Sequence, residues 1–97
     1  MLYAVNKSPL STTSLSSVLR IAPAGAPVLL YEDGVYAAMP DARGTSIVQD
    51  ALASHPIYAL DADLEARGIG KVLDGIQAIG YDGFVELVEQ HDVAPWL

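Results

Sequence analysis

Short runs of consecutive apolar residues recur along the chain and are separated by amphipathic segments. Four of these runs predict strands, at residues 2–5, 28–31, 57–60 and 76–79. Their apolar positions are consecutive and do not alternate with polar ones, a pattern typical of strands that are buried on both faces. We therefore expect a sheet that is covered by helices on both sides.

The segments between the strands predict short helices. Ser14 suits the N-cap of a helix that ends near residue 22, and Asp61 suits the cap of a helix that ends before Gly68. One helical turn is expected at 35–39, another helix after Thr45 or Ser46, and a last one at 83–90 with Phe84, Leu87 and Val88 facing the sheet. The alternation predicts a single α/β domain over residues 1–97, with a small, mostly parallel sheet of about four to five strands and helices on both faces.

Two polar loops follow directly after predicted strands. The first contains Asn6, Lys7 and Ser8, and the second contains Glu32, Asp33 and Gly34, where we expect glycine to adopt a left-handed turn conformation. In open α/β sheets the carboxyl edge carries the functional loops, which makes both loops candidates for an interface or binding role. The alternative is that they only form turns.

The amino-acid composition indicates that this domain has a binding partner. Hydrophobic residues make up 52% of the 97 residues, and the mean hydropathy is +0.32. A domain this small has too little interior to bury such an excess, so we expect part of it to lie in an interface. Trp96 either packs back on the domain or docks on that partner.

Charge and cysteine content exclude several classes of function. Twelve acidic and five basic residues give a net charge of −7, which disfavours direct binding to nucleic acid and favours neutral or basic protein partners. The chain contains no cysteine, so disulfides, thiolate nucleophiles and cysteine metal ligands are impossible.

Other motifs for chemistry are incomplete. Gly68 and Gly70 begin a dinucleotide fingerprint, but Leu73 occupies its third glycine position and the segment follows a helix. The acidic residues at 61, 63 and 65 alternate as in a calcium loop, yet Ala66 stands where that loop needs glycine. The two histidines lack metal-ligand spacing, and no Gly-x-Ser-x-Gly elbow exists. We expect no cofactor, no metal and no catalytic residues.

The amino-terminal residues lack the basic start and the long apolar run of a signal peptide, and no run has the length of a membrane span. We therefore expect a cytoplasmic protein that contacts no membrane.

Four strings in order carry a family resemblance: NKSP at 6–9, LLYEDGVYAA at 29–38, YALDADLEARG at 58–68 and YDGFV at 81–85. Together they resemble the DsrH/TusB family, small α/β subunits of the DsrEFH and TusBCD sulfur-relay complexes with a DsrE-like fold. The similarity extends over essentially the whole chain, including Trp96. The NKSP and EDGVYAA strings are slightly closer to the DsrH side.

The resemblance implies a heterohexamer with homologous DsrE/TusD-like and DsrF/TusC-like subunits. A cysteine of the DsrE/TusD partner would carry the persulfide and pass it to a DsrC/TusE-like carrier. The pathway would be either sulfur oxidation or 2-thiolation of the tRNA wobble uridine. Some DsrH-type members carry a cysteine in the first helix, and the alignment places Val18 at that position. Val18 is therefore interpreted as a packing residue.

These observations favour a non-catalytic subunit of a sulfurtransferase complex, not an enzyme by itself. Its candidate interface or carrier-facing residues are Asn6, Lys7, Ser8, Glu32, Asp33, Gly34, Tyr36 and Trp96. An alternative is a stand-alone homo-oligomeric relative that binds a small ligand through the two polar loops. An enzyme that acts without cysteine has the least support.

Overall fold

Five parallel strands organise the chain in a computed structural model that describes residues 1–8, 14–40 and 45–96, without the side chains of 45, 46 and 96. The strands are β1 (Leu2–Val5), β2 (Val28–Leu30), β3 (Ile57–Leu60), β4 (Gln77–Ile79) and β5 (Val93–Trp96). The helices are α1 (Ser14–Ile21), a 3-10 helix (Glu32–Ala38), α2 (Thr45–Ala51), α3 (Asp61–Ala66) and α4 (Tyr81–Gln90).

The strand order is β4-β3-β2-β1-β5, and every neighbouring pair is parallel. This confirms the predicted fold class. The apolar tail forms the fifth strand, in which Val93 lies beside Leu2 and the backbone of Trp96 lies beside Val5. The tail therefore extends the sheet as an edge strand, an arrangement that the residue pattern alone left open.

The strand order explains why the two faces of the sheet are covered unequally. The chain steps from β1 to β4 in one direction and then returns across the whole sheet to β5. Because parallel crossovers are right-handed, the helices of the first three crossovers lie on one face and α4 lies on the other. Among the described residues, three α-helices and the 3-10 helix cover the first face, whereas α4 alone covers the second.

Two separate hydrophobic clusters reflect this division. The larger contains Val5, Val28 and Leu30 from the strands, packed against residues of α1, α2, α3 and the 3-10 helix. The smaller contains the alternate strand residues Leu2 and Leu29, packed against Leu87 of α4. Consecutive residues of β2 thus enter opposite clusters, which is why this central strand is apolar at every position.

Three local expectations were wrong. Residues 32–34 do not form a loop ahead of a helical turn at 35–39, because they are the first residues of the 3-10 helix. Asp61 is not the N-cap of α3: it is the first helical residue, and the cap is Leu60 without a side-chain hydrogen bond. Gly34 does not adopt the left-handed conformation; Glu32 does, with φ of 48°. Gly34 is needed for space instead, because a Cβ there would overlap the backbone carbonyl of Val5.

Two loops at the amino edge of the sheet are joined by the buried side chain of His55. Its Nδ1 lies 2.9 Å from the carbonyl oxygen of Ala26. A carbonyl can only accept, so Nδ1 carries the hydrogen. Nearby, the Gly25 N–H donates to the Ser54 carbonyl at 2.6 Å. Among the described residues, His55 therefore has a structural role, because it joins the segments that precede β2 and β3.

We expect His55→Ala to destabilise the fold by about 2 kcal/mol, because it leaves the Ala26 carbonyl without its buried donor and opens a void. Urea denaturation followed by circular dichroism measures this. His91→Ala is the control, since His91 is only half-buried at the end of α4 and should change stability by less than about 0.5 kcal/mol. Equal losses in the two variants would contradict the structural role of His55.

Candidate functional site

The two polar loops predicted from the sequence meet at the carboxyl edge of the sheet. The N–H of Tyr31 donates to the carbonyl of Val5 at 3.1 Å, which aligns the ends of β2 and β1. The position of a Cβ on Gly34 would lie 3.4 Å from the Cα of Asn6, so the 3-10 helix begins directly against the first loop. We call the surface formed by these two loops and the start of α3 the polar edge.

Side chains of α3 hold the polar edge together. The carboxylate of Asp63 accepts a hydrogen bond of 2.7 Å from the backbone N–H of Glu32. The guanidinium of Arg67 contacts Asp33 through Nε at 3.0 Å and Nη2 at 2.9 Å. Arg67 also approaches the side chain of Asp63 at 3.7 Å. The loop after β2 is thereby fixed on the helix that follows β3.

The contact between Asp63 and Glu32 offsets backbone strain. A non-glycine residue in the left-handed region costs about 1 kcal/mol or more, and Glu32 adopts it where its N–H meets the carboxylate. The start of the 3-10 helix is consequently held in this conformation by Asp63, in addition to the contact between Arg67 and Asp33.

We expect Asp63→Ala to destabilise the protein by about 1–2 kcal/mol, since Glu32 loses its acceptor and Arg67 loses a partner. Asp61→Ala is the matched control, because Asp61 lies in the same first turn and favours the helix dipole equally but is exposed. Chemical denaturation of both variants provides the comparison. A loss for Asp61→Ala as large as that for Asp63→Ala would show that only the helix dipole is involved.

The other candidate residues of the first loop differ in their surroundings. Asn6 is half-buried, and its Oδ1 is buried without a hydrogen-bond partner in the described residues. Lys7 is exposed, whereas Ser8 is half-buried and has a partner. Tyr36 is half-buried on the 3-10 helix. A contact role for these residues is a proposal that rests on their position at the polar edge.

Val18 is fully buried in the larger cluster, at 0% exposure. Its side chain cannot reach solvent or a partner in this conformation. A side chain of similar size at this position, including a cysteine, would be enclosed by the helices and strands of that face. Trp96 contributes its backbone to β5 beside Val5, and its side chain lies outside the described residues.

An apolar groove lies on the face that α4 alone covers. Its volume is about 340 Å³. Its walls are α4 on one side and β5 on the other, and the sheet forms its floor. The lining residues are Leu2, Ala4, Leu29, Tyr31, Leu60, Phe84, Val88, Val93 and Pro95. Val88, which was expected to face the sheet, lines this groove together with sheet residues and is 40% exposed.

Tyr31 links the groove to the polar edge. Burial, and to a smaller extent the neighbouring Glu32 carboxylate, raise the pKa of its hydroxyl above the ordinary value. The phenol therefore stays protonated at neutral pH and can donate or accept a hydrogen bond at the end of an otherwise apolar surface.

The part of the chain that the structure describes contains no cluster of side chains suited to bind a metal ion. Within residues 1–8, 14–40 and 45–96, no three His, Asp or Glu side chains are placed to hold a metal ion. Over the same ranges no helix is both long and apolar enough to cross a membrane. The groove and the polar edge are surfaces suited to contact.

Sequence reasoning identified the two loops but missed Asp63, Arg67 and the groove. The signal for Asp63 was present, because the acidic turn of α3 begins directly after β3 and so lies at the same sheet edge. The groove could not be located without knowing that the tail forms β5.

The chain is a small α/β domain with an open, all-parallel sheet, a polar carboxyl edge and one thinly covered face. Comparison with solved structures gives the same fold. The ychN protein from E. coli superposes with a TM-score of 0.75 at 17% identity, covering 97% of both chains. MTH1491 from Methanobacterium thermoautotrophicum has a TM-score of 0.75 at 18% identity, covering 97% of this chain and 96% of its own.

Sequence comparison defines the family. The chain belongs to the DsrH family, whose sequence model, described as DsrH like protein, matches residues 7–94. It is 41% identical to Protein TusB of Serratia proteamaculans (strain 568) over 92 residues, which are 94% of each chain. It is 36% identical to Protein TusB of Yersinia pestis (strain Pestoides F) over the same share of each. The resemblance inferred from the four strings is confirmed.

Proposed function

We propose that this protein is a non-catalytic structural subunit of a cytoplasmic sulfur-relay complex. Its partners would be homologous DsrE/TusD-like and DsrF/TusC-like subunits, with a DsrC/TusE-like carrier meeting the assembled complex. Membership of the DsrH family supports the sulfur-relay role. The relatives named TusB favour tRNA wobble uridine thiolation over sulfur oxidation as the pathway.

The observation that carries the proposal is the combination of a missing thiol with an uncovered apolar face. The chain has no cysteine, so it cannot hold sulfur as a persulfide. The same chain leaves an apolar groove of about 340 Å³ open beside α4. Surfaces of this kind mark sites of association in small domains. The protein therefore contributes contact area while a partner supplies the reactive sulfur.

Co-expression with the TusC-like and TusD-like chains of the same genome tests the proposal. We expect the three chains to co-purify and to elute as one species in size-exclusion chromatography. Elution of this chain as a monomer, separate from the other two, would refute the assembly role.

A second function, binding of a small apolar ligand by a stand-alone oligomer, is favoured only by the shape of the groove. Light scattering of the isolated protein and a thermal-shift screen of apolar ligands test it. A defined homo-oligomer with a ligand-dependent rise in melting temperature would support it. A monomeric protein whose melting temperature no ligand changes would contradict this second function.

A further inference from the structure

Exposed side chains of α4 form two rows along the helix, and in each row the residues are spaced four and then three apart. Tyr81, Val85 and Val88 are four and three residues apart and form an exposed apolar stripe, with 69%, 48% and 40% exposure. Asp82, Glu86 and Glu89 repeat this spacing one residue later and are also exposed. We call these the apolar stripe and the acidic stripe.

The order of the faces around α4 places the apolar stripe beside the groove. Leu87 and Phe84 pack on the sheet in the smaller cluster. At about 100° per residue, the apolar stripe lies between that buried face and the acidic stripe. Val88 belongs to both the stripe and the groove wall. The groove and the apolar stripe thus form one continuous surface, bordered on its outer side by carboxylates.

The charge of this region indicates what can cover it. After Lys71 the sequence contains no lysine or arginine, but it contains Asp74, Asp82, Glu86, Glu89 and Asp92. A two-fold contact of this surface with a second copy would bring the exposed carboxylates of Glu86 and Glu89 toward their own counterparts, where they would repel each other. Like charges at an interface select against the wrong partner, so the occupant has to supply Lys or Arg itself.

Pro95 disfavours the addition of a further strand at the edge of β5. The N–H of Leu2 donates to the carbonyl of Asp92, so Asp92 directs its backbone groups toward β1. Backbone groups of a parallel strand point to alternate sides, so Pro95 directs its nitrogen outward, where it has no hydrogen to donate. Packing of side chains, as in a docked helix, therefore suits this side better than strand pairing does.

We propose that this surface docks a helix of a different subunit, one that carries an apolar row bordered by Lys or Arg. Its apolar side chains enter the groove between Val88 and Val93, and its cations meet Glu86 and Glu89. The inference rests on the proposed assembly role and adds which face is used and the chemistry of the partner.

Variants of α4 test this in the co-expressed complex with TusC-like and TusD-like chains. Val88→Asp places a charge in the groove wall, and we expect it to weaken assembly at least tenfold, on the order of the loss of an interface anchor. Glu86→Lys combined with Glu89→Lys should weaken assembly about tenfold and reduce its dependence on salt. Both changes are at exposed positions, and thermal unfolding of the isolated variants checks that they fold.

Glu65→Lys is the matched control, because it reverses an exposed carboxylate on α3, on the other side of the sheet, and should leave assembly unchanged. If both α4 variants assemble as well as the wild-type chain does, this inference is overturned. The assembly role itself would not be affected. A homodimer of the isolated protein that Val88→Asp dissociates would also overturn it, because the occupant would then be a second copy. Failure of the wild-type chain to assemble would overturn both proposals.

Discussion

Replacing Gly34 with alanine should destabilise the protein by about 3 kcal/mol or more, a large share of the stability of a small domain. The added Cβ would overlap the Val5 carbonyl oxygen and lie 3.0 Å from its carbon. Both clashing atoms are backbone atoms of β1, which pairs with a strand on each side, so no flexible side chain can move aside. Moving the 3-10 helix away would also break the bond from Tyr31 to Val5. Urea denaturation measures the loss.

Gly70→Ala serves as the matched control. A Cβ at Gly70 would meet nothing within 4 Å, and the residue lies outside the left-handed region. We expect a neutral result or a gain of up to about 1 kcal/mol, since alanine restricts the unfolded chain more than glycine does. Equal behaviour of the two variants would show that the 3-10 helix does not approach β1 as described.

Val18→Cys, at the position where the sequence resemblance places a cysteine in some relatives, should give a thiol that reacts at least about 100-fold more slowly in the folded protein than in urea. Val18 has 0% exposure within the larger cluster. A reagent reaches such a side chain only when the structure opens, and burial in apolar surroundings disfavours the thiolate. Labelling with a chromogenic disulfide at neutral pH provides the rate.

Arg20→Cys is the control for this experiment, because Arg20 is exposed on the same helix. We expect its thiol to react at the rate of an unfolded cysteine. We also expect the Val18→Cys protein to take up no sulfane sulfur from a persulfide donor. Rapid labelling of the folded Val18→Cys variant would show that α1 opens toward solvent and that a cysteine there has access to sulfur.

The strands were predictable because burial on both faces leaves a local mark. The residues of β1 and β3 are apolar in succession, and no turn former interrupts them. The helices of the first crossovers followed from their amphipathic spacing and from residues such as Gly68, which ends α3 with φ of 68°. These signals depend only on near neighbours in the chain, so the sequence contains them.

Features that depend on distant parts of the chain were not predictable. β5 is short and contains Pro95, which argues against a strand unless it lies at an edge with its nitrogen outward. The left-handed conformation of Glu32 depends on Asp63, which lies 31 residues away. The sequence rule assigns that conformation to the nearby Gly34, and the carboxylate from α3 overrides the rule.

The candidate site was predictable to a similar extent. The rule that functional loops lie at the carboxyl edge placed Asn6 and Asp33 on the same side of the sheet, as the structure has them. The apolar composition indicated an interface without locating it. The groove beside Val93, where we propose that this interface lies, could be located only from the return of the chain from β4 to β5.

The central claim is that this subunit supplies contact surface and carries no sulfur. Native mass spectrometry of the co-expressed complex, before and after incubation with a persulfide donor, tests it most directly. We predict a complex that contains this chain, with the mass of added sulfur found only on a partner subunit after dissociation. Added sulfur on this chain, or transfer of sulfur to an acceptor by this chain alone, would contradict the account.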